Sequence, residues 1–423
     1  VSLVNETTGK TASGNVTVKG GEKFHLVATT ANMGSLKGKY AITSNFPLDF
    51  HAMLLKLESS QDIGFGYYTD SSDLQITVDW PEEAVIEITK KDGDTGKNLA
   101  GAVYGVYSDN ACTKLIVKMP PTDSNGSSRV TLTKTQDTVY LKEITAPEGY
   151  VVQASSYGVK LVVGSTTKQT VTDKEQKGNL TVYKEGEVFV GAVSDENGTS
   201  FQYEKRRQKG AVYNVYAAED IVTAGGKTVY KKGAEVAKNL ITGENGSVTV
   251  KNLPLGSYNV TEAQAPENFY NAKETKKVTI SYAGQTAEAA FSETTFTNDR
   301  QKAVVQVIKK DKDTENTLSG GHFALFAAQD MKTVDGKVAV KKDALIETAI
   351  TGTDGKAAFK ADLPVGFSYY VKEVQAPAGY VRNEKDTYSF QFSYTNDEQA
   401  KISFSHTFVN DRVSACLLYT SPS

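Results

Sequence analysis

Three stretches of the chain each carry a lysine, a glutamate and a closing aspartate or asparagine in the same order. The lysine ends an alternating apolar strand, the glutamate follows later in the stretch, and the third residue ends its last strand. Burial disfavours charge, so it lowers the pKa of a lysine and raises that of a glutamate. A neutral amine is a nucleophile, and a protonated carboxyl can move protons. Attack on Asn would release ammonia and attack on Asp would release water, leaving an amide between two side chains.

The sequence elements that must position these groups repeat three times. The strand that ends in lysine is followed by a small-residue step into an aromatic strand, at 100–107, 209–216 and 319–326. An Asn-Gly or Asp-Gly turn comes next, then a box that contains the glutamate, at 140–150, 258–266 and 370–380. Lys91 and Lys310 are adjacent alternatives to Lys90 and Lys309, and strand alternation predicts that they lie on the opposite face of the sheet.

Composition predicts an all-β chain without a nucleic-acid surface. Val, Thr and Tyr dominate the patterned segments, and these residues suit a pleated, half-buried surface. The 47 Lys and Arg against 50 Asp and Glu give a net charge of −3. A protein that binds nucleic acid usually needs a basic surface instead. No stretch approaches the ~18 consecutive apolar residues of a membrane span. We therefore expect neither a nucleic-acid partner nor a membrane span in these residues.

No cofactor or metal site is expected. The four histidines (His25, His51, His322 and His406) are scattered without ligand spacing. Asp92-Gly93-Asp94-Thr95-Gly96 indicates a turn, because the rest of an EF-hand pattern is missing. Cys112 is predicted to be a buried small hydrophobe. We find no motif of a turnover enzyme, so any chemistry is expected to be single-turnover self-cross-linking only.

The repeats predict three domains, 84–176, 177–300 and 301–413. The second is the longest because 187–208 is inserted between its first two strands, and its charge run Glu204–Arg207 indicates a solvated loop. Residues 1–83 are β-like, with strand candidates at 15–18 and 74–78, and indicate the downstream part of a truncated preceding domain. Residues 414–423 follow the last strand, depart from the local sequence pattern of the chain and resemble translated vector sequence. We therefore predict a non-native tail.

The Lys-x-Asp opening, the Gly-Ala-x-Tyr strand, the Glu-x-x-Ala-Pro-x-Gly-Tyr box and the terminal Asn resemble the collagen-adhesin B-type (CnaB), or SpaA-type, domains of Gram-positive surface proteins and pilin-like adhesins. The resemblance implies tandem Greek-key β-sandwich domains with the transthyretin-like, inverse immunoglobulin-like CnaB fold. It also implies an autocatalytic isopeptide bond between Lys and Asn or Asp in each domain, promoted by the boxed Glu. Carried onto this sequence, Lys90 would join Asp173 with Glu143, Lys184 would join Asn298 with Glu262, and Lys309 would join Asn410 with Glu373.

The middle repeat departs from this pattern. Lys184 is followed by Glu185-Gly186 where the other repeats have x-Asp, and Asn268-Phe269 replaces the Gly-Tyr of the box. Whether the middle bond forms is therefore left open by the sequence.

The resemblance implies a structural stalk of a cell-surface adhesin or pilin-like protein, extracellular and anchored to the cell wall of a Gram-positive bacterium. Attachment to peptidoglycan by a sortase would use a signal outside these residues. One alternative is a module that binds host extracellular matrix or glycan through 1–83 or the loops 187–208 and 328–343. Another is an accessory region of a secreted enzyme.

Overall fold

The computed structural model describes residues 83–413 throughout and, before them, Gly9 and seven short strands. Every regular element in these residues is a β-strand, and none of them forms a helix that could cross a membrane. The chain divides into two compact units, 1–175 with 284–286, and 176–283 with 287–423. The predicted tail 414–423, and the parts of 1–82 between the strands, lie outside the described residues.

The seven N-terminal strands form two sheets, with strand orders β2-β1-β4-β6 and β3-β7-β5. The strand candidates at 15–18 and 74–78 are confirmed as β3 and β7. The strands are β1 (Ser2–Asn5), β2 (Lys10–Ala12), β3 (Val16–Val18), β4 (Phe24–Val27), β5 (Ala41–Ser44), β6 (Asp62–Phe65) and β7 (Leu74–Asp79).

Domain 1, predicted at 84–176, consists of β8 (Glu83–Asp92), β9 (Val103–Tyr107), β10 (Leu115–Lys118), β11 (Ser127–Thr133), β12 (Thr138–Thr145), β13 (Ser156–Lys160) and β14 (Thr166–Asp173). The strand orders of its two sheets are β10-β9-β12-β13 and β11-β8-β14. Strand β8 alternates between buried and half-buried residues, so Ile86 and Ile88 pack against Val106 and Leu141 of the facing sheet. The result is a β-sandwich with one apolar core.

Domain 2, predicted at 177–300, repeats this arrangement with a longer first strand. Its strands are β15 (Lys177–Asp195), β16 (Gly198–Arg207), β17 (Val212–Ala217), β18 (Ile221–Val222), β19 (Thr228–Tyr230), β20 (Glu235–Ile241), β21 (Ser247–Pro254), β22 (Gly256–Gln264), β23 (Thr275–Ile280) and β24 (Ala289–Asn298). The sheets are β16-β15-β21 with β24 on β15, β20-β17-β22-β23, and the small pair β18-β19.

The insertion 187–208 is where sequence and structure differ. Residues Glu204–Arg207 were predicted to be a solvated loop, but they belong to β16, which pairs with the second half of β15 from Glu185↔Arg207 to Asp195↔Gly198. The insertion is therefore a β-hairpin that continues the first strand of the domain. The loop prediction was wrong because a charge run does not report which backbone partner the segment meets.

Domain 3, predicted at 301–413, consists of β25 (Lys302–Asp311), β26 (His322–Ala327), β27 (Met331–Lys332), β28 (Val338–Val340), β29 (Leu345–Ile350), β30 (Lys356–Phe359), β31 (Phe367–Gln375), β32 (Tyr380–Val381), β33 (Thr387–Phe392) and β34 (Lys401–Arg412). Its sheets are β30-β25-β34-β32, β29-β26-β31-β33 and the pair β27-β28. The prediction of tandem all-β sandwich domains is confirmed.

Candidate cross-link sites

The first and last strands of each domain lie side by side and run parallel. In domain 1 Lys90 is opposite Val171 and Asp92 is opposite Asp173. The same offset recurs in the other two domains, with Gly186 opposite Asn298 and Asp311 opposite Asn410. The lysine and its predicted acceptor are therefore on neighbouring strands, the acceptor displaced by two residues, which puts both side chains on the same face.

All three predicted lysines lie in the interior. Lys90, Lys184 and Lys309 are each 0% exposed. Their neighbours Lys91 and Lys310 are half-buried on the other face of the strand, as predicted. Alternation on β8, β15 and β25 therefore carries each amine into the sandwich together with the apolar residues of its strand.

In domain 1 the three predicted residues meet. Lys90 Nζ lies 2.8 Å from Glu143 Oε1 and forms an ion pair with Asp173 Oδ1. It also donates a hydrogen bond of 2.9 Å to the hydroxyl of Tyr104. Glu143 Oε2 accepts the backbone N–H of Gln153 at 2.9 Å. Burial raises the pKa of Asp173 to about 7, with Lys90 working against the rise and Glu143 adding to it.

In domain 2 the lysine and glutamate meet, and the asparagine is aligned beside them by register. Lys184 Nζ lies 2.8 Å from Glu262 Oε1, which also accepts a 3.4 Å hydrogen bond from the Tyr213 hydroxyl. Asn298 is 6% exposed, and its Nδ2 has no hydrogen-bond partner among the residues that the structure describes. Burial lowers the pKa of Lys184, although Glu262 opposes the change, so burial favours the neutral amine.

In domain 3 the glutamate bridges the other two residues. Lys309 Nζ lies 3.2 Å from Glu373 Oε1, and Asn410 Nδ2 donates to Oε1 at 3.0 Å and to Oε2 at 2.9 Å. Burial lowers the pKa of Lys309, with Glu373 acting in the opposite direction. The carboxyl group therefore holds the amine and the amide together in a dry site.

The aromatic strand supplies a fourth member that the sequence reasoning missed. Tyr104 contacts Lys90 in domain 1 and Tyr213 contacts Glu262 in domain 2, while Phe323 occupies the corresponding place in domain 3. Burial raises the pKa of both tyrosines far above its usual range, so their hydroxyls stay protonated. The signal was present in the sequence as the last residue of the Gly-Ala-x-Tyr pattern, but it carried no role there.

A second contact explains the Lys-x-Asp and Gly-Tyr parts of the pattern. The Tyr150 hydroxyl donates to Asp92 Oδ2 at 2.6 Å, and the Tyr380 hydroxyl donates to Asp311 Oδ2 at 2.7 Å. Each bond ties the strand that carries the lysine to the segment that follows the glutamate. In domain 3 Arg412 Nε adds a hydrogen bond of 2.8 Å to the same Asp311 oxygen.

Domain 2 replaces this contact by packing. A Cβ atom at Gly186 would lie 2.2 Å from the ring of Phe269, so the ring occupies the space that an aspartate side chain would need. Asn268 takes the place of the box glycine and has the same left-handed backbone, with φ 75° against 88° at Gly149. Asn tolerates that conformation better than most residues, so the loop keeps its course without glycine.

Other candidate residues carry no site. Among the residues with described side chains, no group of three or more His, Cys, Asp or Glu is placed to hold a metal ion. Cys112 is only half-buried and has φ 53° in a turn, so its prediction as a buried hydrophobe was wrong. Asp92 Oδ1 accepts the backbone N–H groups of Asp94 and Thr95, which confirms the predicted turn.

The family model described as SpaA, prealbumin-like fold domain, matches residues 84–176, 197–295 and 303–407. These ranges cover more than half of the chain, which therefore belongs to the SpaA family of prealbumin-like fold domains. The second range begins in the turn between β15 and β16 and leaves out Lys184 and Asn298. A model described as a TED associated beta sandwich domain matches 1–40. No curated protein matches the chain.

Three solved structures illustrate the likeness. The TIE protein of Bacillus anthracis is 20% identical over 97% of this chain, with a TM-score of 0.49, and the chain spans 65% of its length. BcpA, the major pilin subunit of Bacillus cereus, is 15% identical over 78% of this chain and 100% of its own, with a TM-score of 0.31. The shaft pilin SpaA of Lactobacillus rhamnosus GG is 14% identical over 57% of this chain and 100% of its own, with a TM-score of 0.21. Family membership rests on the domain matches and not on these structures.

Proposed function

We propose that each of the three domains closes an intramolecular isopeptide bond, Lys90–Asp173, Lys184–Asn298 and Lys309–Asn410, and that the tandem serves as a tension-bearing stalk. The observation that carries the proposal is the threefold recurrence of a fully buried lysine beside a buried glutamate, with an Asp or Asn in the same register on the adjoining strand. A buried ion pair is a poor means of stabilising a fold, and three copies in the same place favour a chemical use.

The reaction balances without a cofactor. The neutral Nζ of Lys309 attacks Cγ of Asn410, the new C–N bond forms, the bond from Cγ to Nδ2 breaks, and ammonia leaves with a proton from the amine. Glu373 carries that proton from the amine to the leaving nitrogen, since it contacts both groups. In domain 1 the bond from Cγ to the hydroxyl of protonated Asp173 breaks and water leaves. Glu143, Glu262 and Glu373 are the proposed promoting residues.

The cross-links suit a mechanical role because of where they lie. Tension on a domain loads its first and last strands, which are neighbours in these sandwiches, and a covalent bond between them prevents the strands from unzipping. Together with the family and the tandem arrangement, this supports a structural stalk of an adhesin or pilin-like protein. We place it outside the cell on a Gram-positive bacterium, anchored to peptidoglycan through sequence beyond these residues. Apart from its single self-cross-linking events, we assign it no enzymatic activity.

Intact mass spectrometry of the folded chain tests the proposal. We expect a mass lower than that of the translated sequence by two ammonias and one water. Replacing a promoting residue, in Glu143→Ala, Glu262→Ala or Glu373→Ala, should restore one loss each, water for the first and ammonia for the others.

Matched lysines on the same strands provide the control. Lys91→Ala and Lys310→Ala remove amines from the opposite face and should leave all three losses unchanged, whereas Lys90→Ala and Lys309→Ala should each restore one. A folded chain with the full translated mass would overturn the cross-link proposal.

A further inference from the structure

The hairpin formed by residues 187–207 extends beyond the sandwich of domain 2. It comprises the second half of β15 and all of β16, and it packs on domain 3 within the same compact unit. Domains within a chain move relative to each other by default unless a large apolar interface joins them. The contacts of this hairpin therefore bear on whether domains 2 and 3 can bend at their junction.

The hairpin contributes side chains to the core of domain 3. Phe189 is 8% exposed and belongs to the apolar cluster that includes Leu325, Tyr369 and Phe392. Its ring lies 6.0 Å from the ring of Phe367, in an edge-to-face arrangement. A residue of domain 2 thus fills space in the core of the neighbouring domain. The two domains therefore share a core side chain, and their contact is more than one between two surfaces.

Backbone groups fix the same contact. The Thr199 hydroxyl donates to the carbonyl of Leu345 at 2.7 Å, and the Tyr203 hydroxyl donates to the carbonyl of Asp362 at 2.6 Å. In the opposite direction, the N–H of Val334 donates to the carbonyl of Phe189 at 3.1 Å. These bonds specify the position of the hairpin on domain 3 more closely than apolar packing does.

The tip of the hairpin approaches domain 3 so closely that it needs glycine. A Cβ atom at Gly198 would lie 2.3 Å from the carbonyl oxygen of Ile346, and Gly198 has φ 147°, where side chains are rarely accommodated. Glycine is therefore required by the contact as well as by the turn.

A buried arginine joins the base of the hairpin to the interdomain junction. Arg300 is 4% exposed, its guanidinium lies 3.3 Å from the centre of the Tyr203 ring, and its Nη2 lies 2.6 Å from Asp362 Oδ2. Away from the hairpin, the loop after Glu262 makes a second attachment, because Asp397 Oδ2 accepts the N–H of Ala265 at 2.8 Å.

We propose that the 187–207 hairpin is an interdomain brace. It makes domains 2 and 3, residues 177–413, move as one rigid segment without a hinge at their junction. A chain that merely passes from domain 2 to domain 3 would leave a hinge at their junction. The hairpin adds a further tie to the covalent linker and the Ala265–Asp397 contact, so bending would require Phe189 to leave an apolar core. The proposal is independent of the isopeptide bonds, since all of its contacts are non-covalent.

Hydrogen exchange of the Val334 amide in the full chain measures opening of the brace directly. We expect Phe189→Ala to increase its exchange rate by at least about 100-fold, from the lost burial of an aromatic side chain. Tyr203→Phe removes only one hydroxyl and should increase it about tenfold. Val193 lies on the same hairpin and is 59% exposed, so Val193→Ala should leave the rate unchanged.

A distance measurement tests the rigidity itself. Spin labels at Lys251→Cys and Lys356→Cys, in a full chain with Cys112→Ser and Cys416→Ser, report on domains 2 and 3. We expect one narrow distance distribution, broadened by Phe189→Ala/Tyr203→Ala and unaltered by Val193→Ala. A broad distribution in the parent, or unchanged Val334 exchange in Phe189→Ala while the amides of β15 and β25 stay protected, would overturn the brace.

Discussion

Domain 2 and its two neighbours keep the same lysine and glutamate but end the strand that carries the lysine differently. In domains 1 and 3 the aspartate two residues after the lysine accepts two backbone N–H groups of the following turn and the box tyrosine, so β8 ends at Asp92 and β25 at Asp311. In domain 2 that position is Gly186, packed under Phe269, and β15 continues to Asp195. The position two residues after the lysine can therefore either close a turn or release the strand to reach another domain.

The largest expected effect on stability comes from removing the proposed isopeptide bonds. Comparing this effect in domains 2 and 3 shows whether the domain 2 bond forms. The proposed bond closes the 115 residues from Lys184 to Asn298, and one closes the 102 from Lys309 to Asn410. By analogy with disulfides, each tie is worth at most about 4–5 kcal/mol in chain entropy. Lys184→Met/Glu262→Gln and Lys309→Met/Glu373→Gln should lower the free energy of unfolding of their own domains by up to that amount, measured by hydrogen exchange in urea.

The paired substitutions avoid a confounding effect, because changing one partner alone would leave a buried charge uncompensated. If the paired substitution in domain 2 lowers the free energy of unfolding far less than the one in domain 3, the departures at Gly186 and Phe269 have removed the middle bond. The three domains would then share the contact of lysine with glutamate but not the cross-link.

Gly186→Ala tests whether packing under Phe269 releases the strand. The added Cβ meets the Phe269 ring at 2.2 Å, and overpacking of this kind costs about 1–3 kcal/mol. The free energy of unfolding of domain 2 should fall accordingly. Adding Phe269→Leu should recover part of the loss, because residues in contact do not act additively. Equal stability of Gly186→Ala and the parent would contradict the close packing of Phe269 on Gly186 as the reason why β15 continues.

The pH dependence of bond formation should separate domain 1 from domain 3. Asp173 has a pKa of about 7, raised by burial, and it must be protonated for water to leave. Both domains need a neutral lysine, but only domain 1 also needs a protonated acceptor. Above pH 7 the rate in domain 1 relative to that in domain 3 should therefore fall by up to about tenfold per pH unit, because the protonated fraction of Asp173 falls. Asn410 has no such proton. Peptide mass spectrometry of a chain isolated unfolded and refolded at pH 6, 8 and 9 measures both rates.

Asp173→Asn is the matched variant for this measurement. It should remove the difference between the two domains and replace the lost water by ammonia. An equally steep fall in the variant would exclude protonation of Asp173 as the cause.

The smallest expected effect concerns the tyrosine of the box. Tyr150→Phe removes a hydrogen bond to the buried carboxylate of Asp92. The loss should cost about 1–2 kcal/mol of domain 1 stability. Tyr380→Phe should cost domain 3 less, because Arg412 still pairs with Asp311.

The pH dependence of the same contact is a second test. Burial raises the pKa of Asp92, but its hydrogen bonds outweigh burial and lower that pKa below its ordinary value of 3.8. Their stabilisation is present above that pH and is lost as the pH falls through the lower folded pKa, so the Tyr150→Phe deficit should shrink there. Thermal unfolding at pH 7 and pH 3 measures both effects, and equal losses in the two domains would contradict the assigned role of Arg412.

Much of each site was predictable because it depends on local pattern. Alternation along β8 and β25 put Lys90 and Lys309 on the buried face and Lys91 and Lys310 on the other. Repetition of the box identified the glutamates without any knowledge of the fold. The contact of Tyr104 with Lys90 was not predictable in the same way, because one aromatic residue among many in a β-rich chain has no distinct signal until its partner is known.

Side-chain periodicity along single strands was enough to assign the all-β class. Comparison of the chain with itself was enough to find the threefold repeat and the order of lysine, glutamate and acceptor. The position of the 187–207 hairpin became visible only in the folded chain, because its partners Leu345 and Phe367 are far away in the sequence and belong to another domain. A run of charged residues indicates exposure to solvent, but it cannot report which backbone groups or apolar cores lie within reach. Contacts between domains depend on that arrangement in space, and here they turn an apparent loop into a strand.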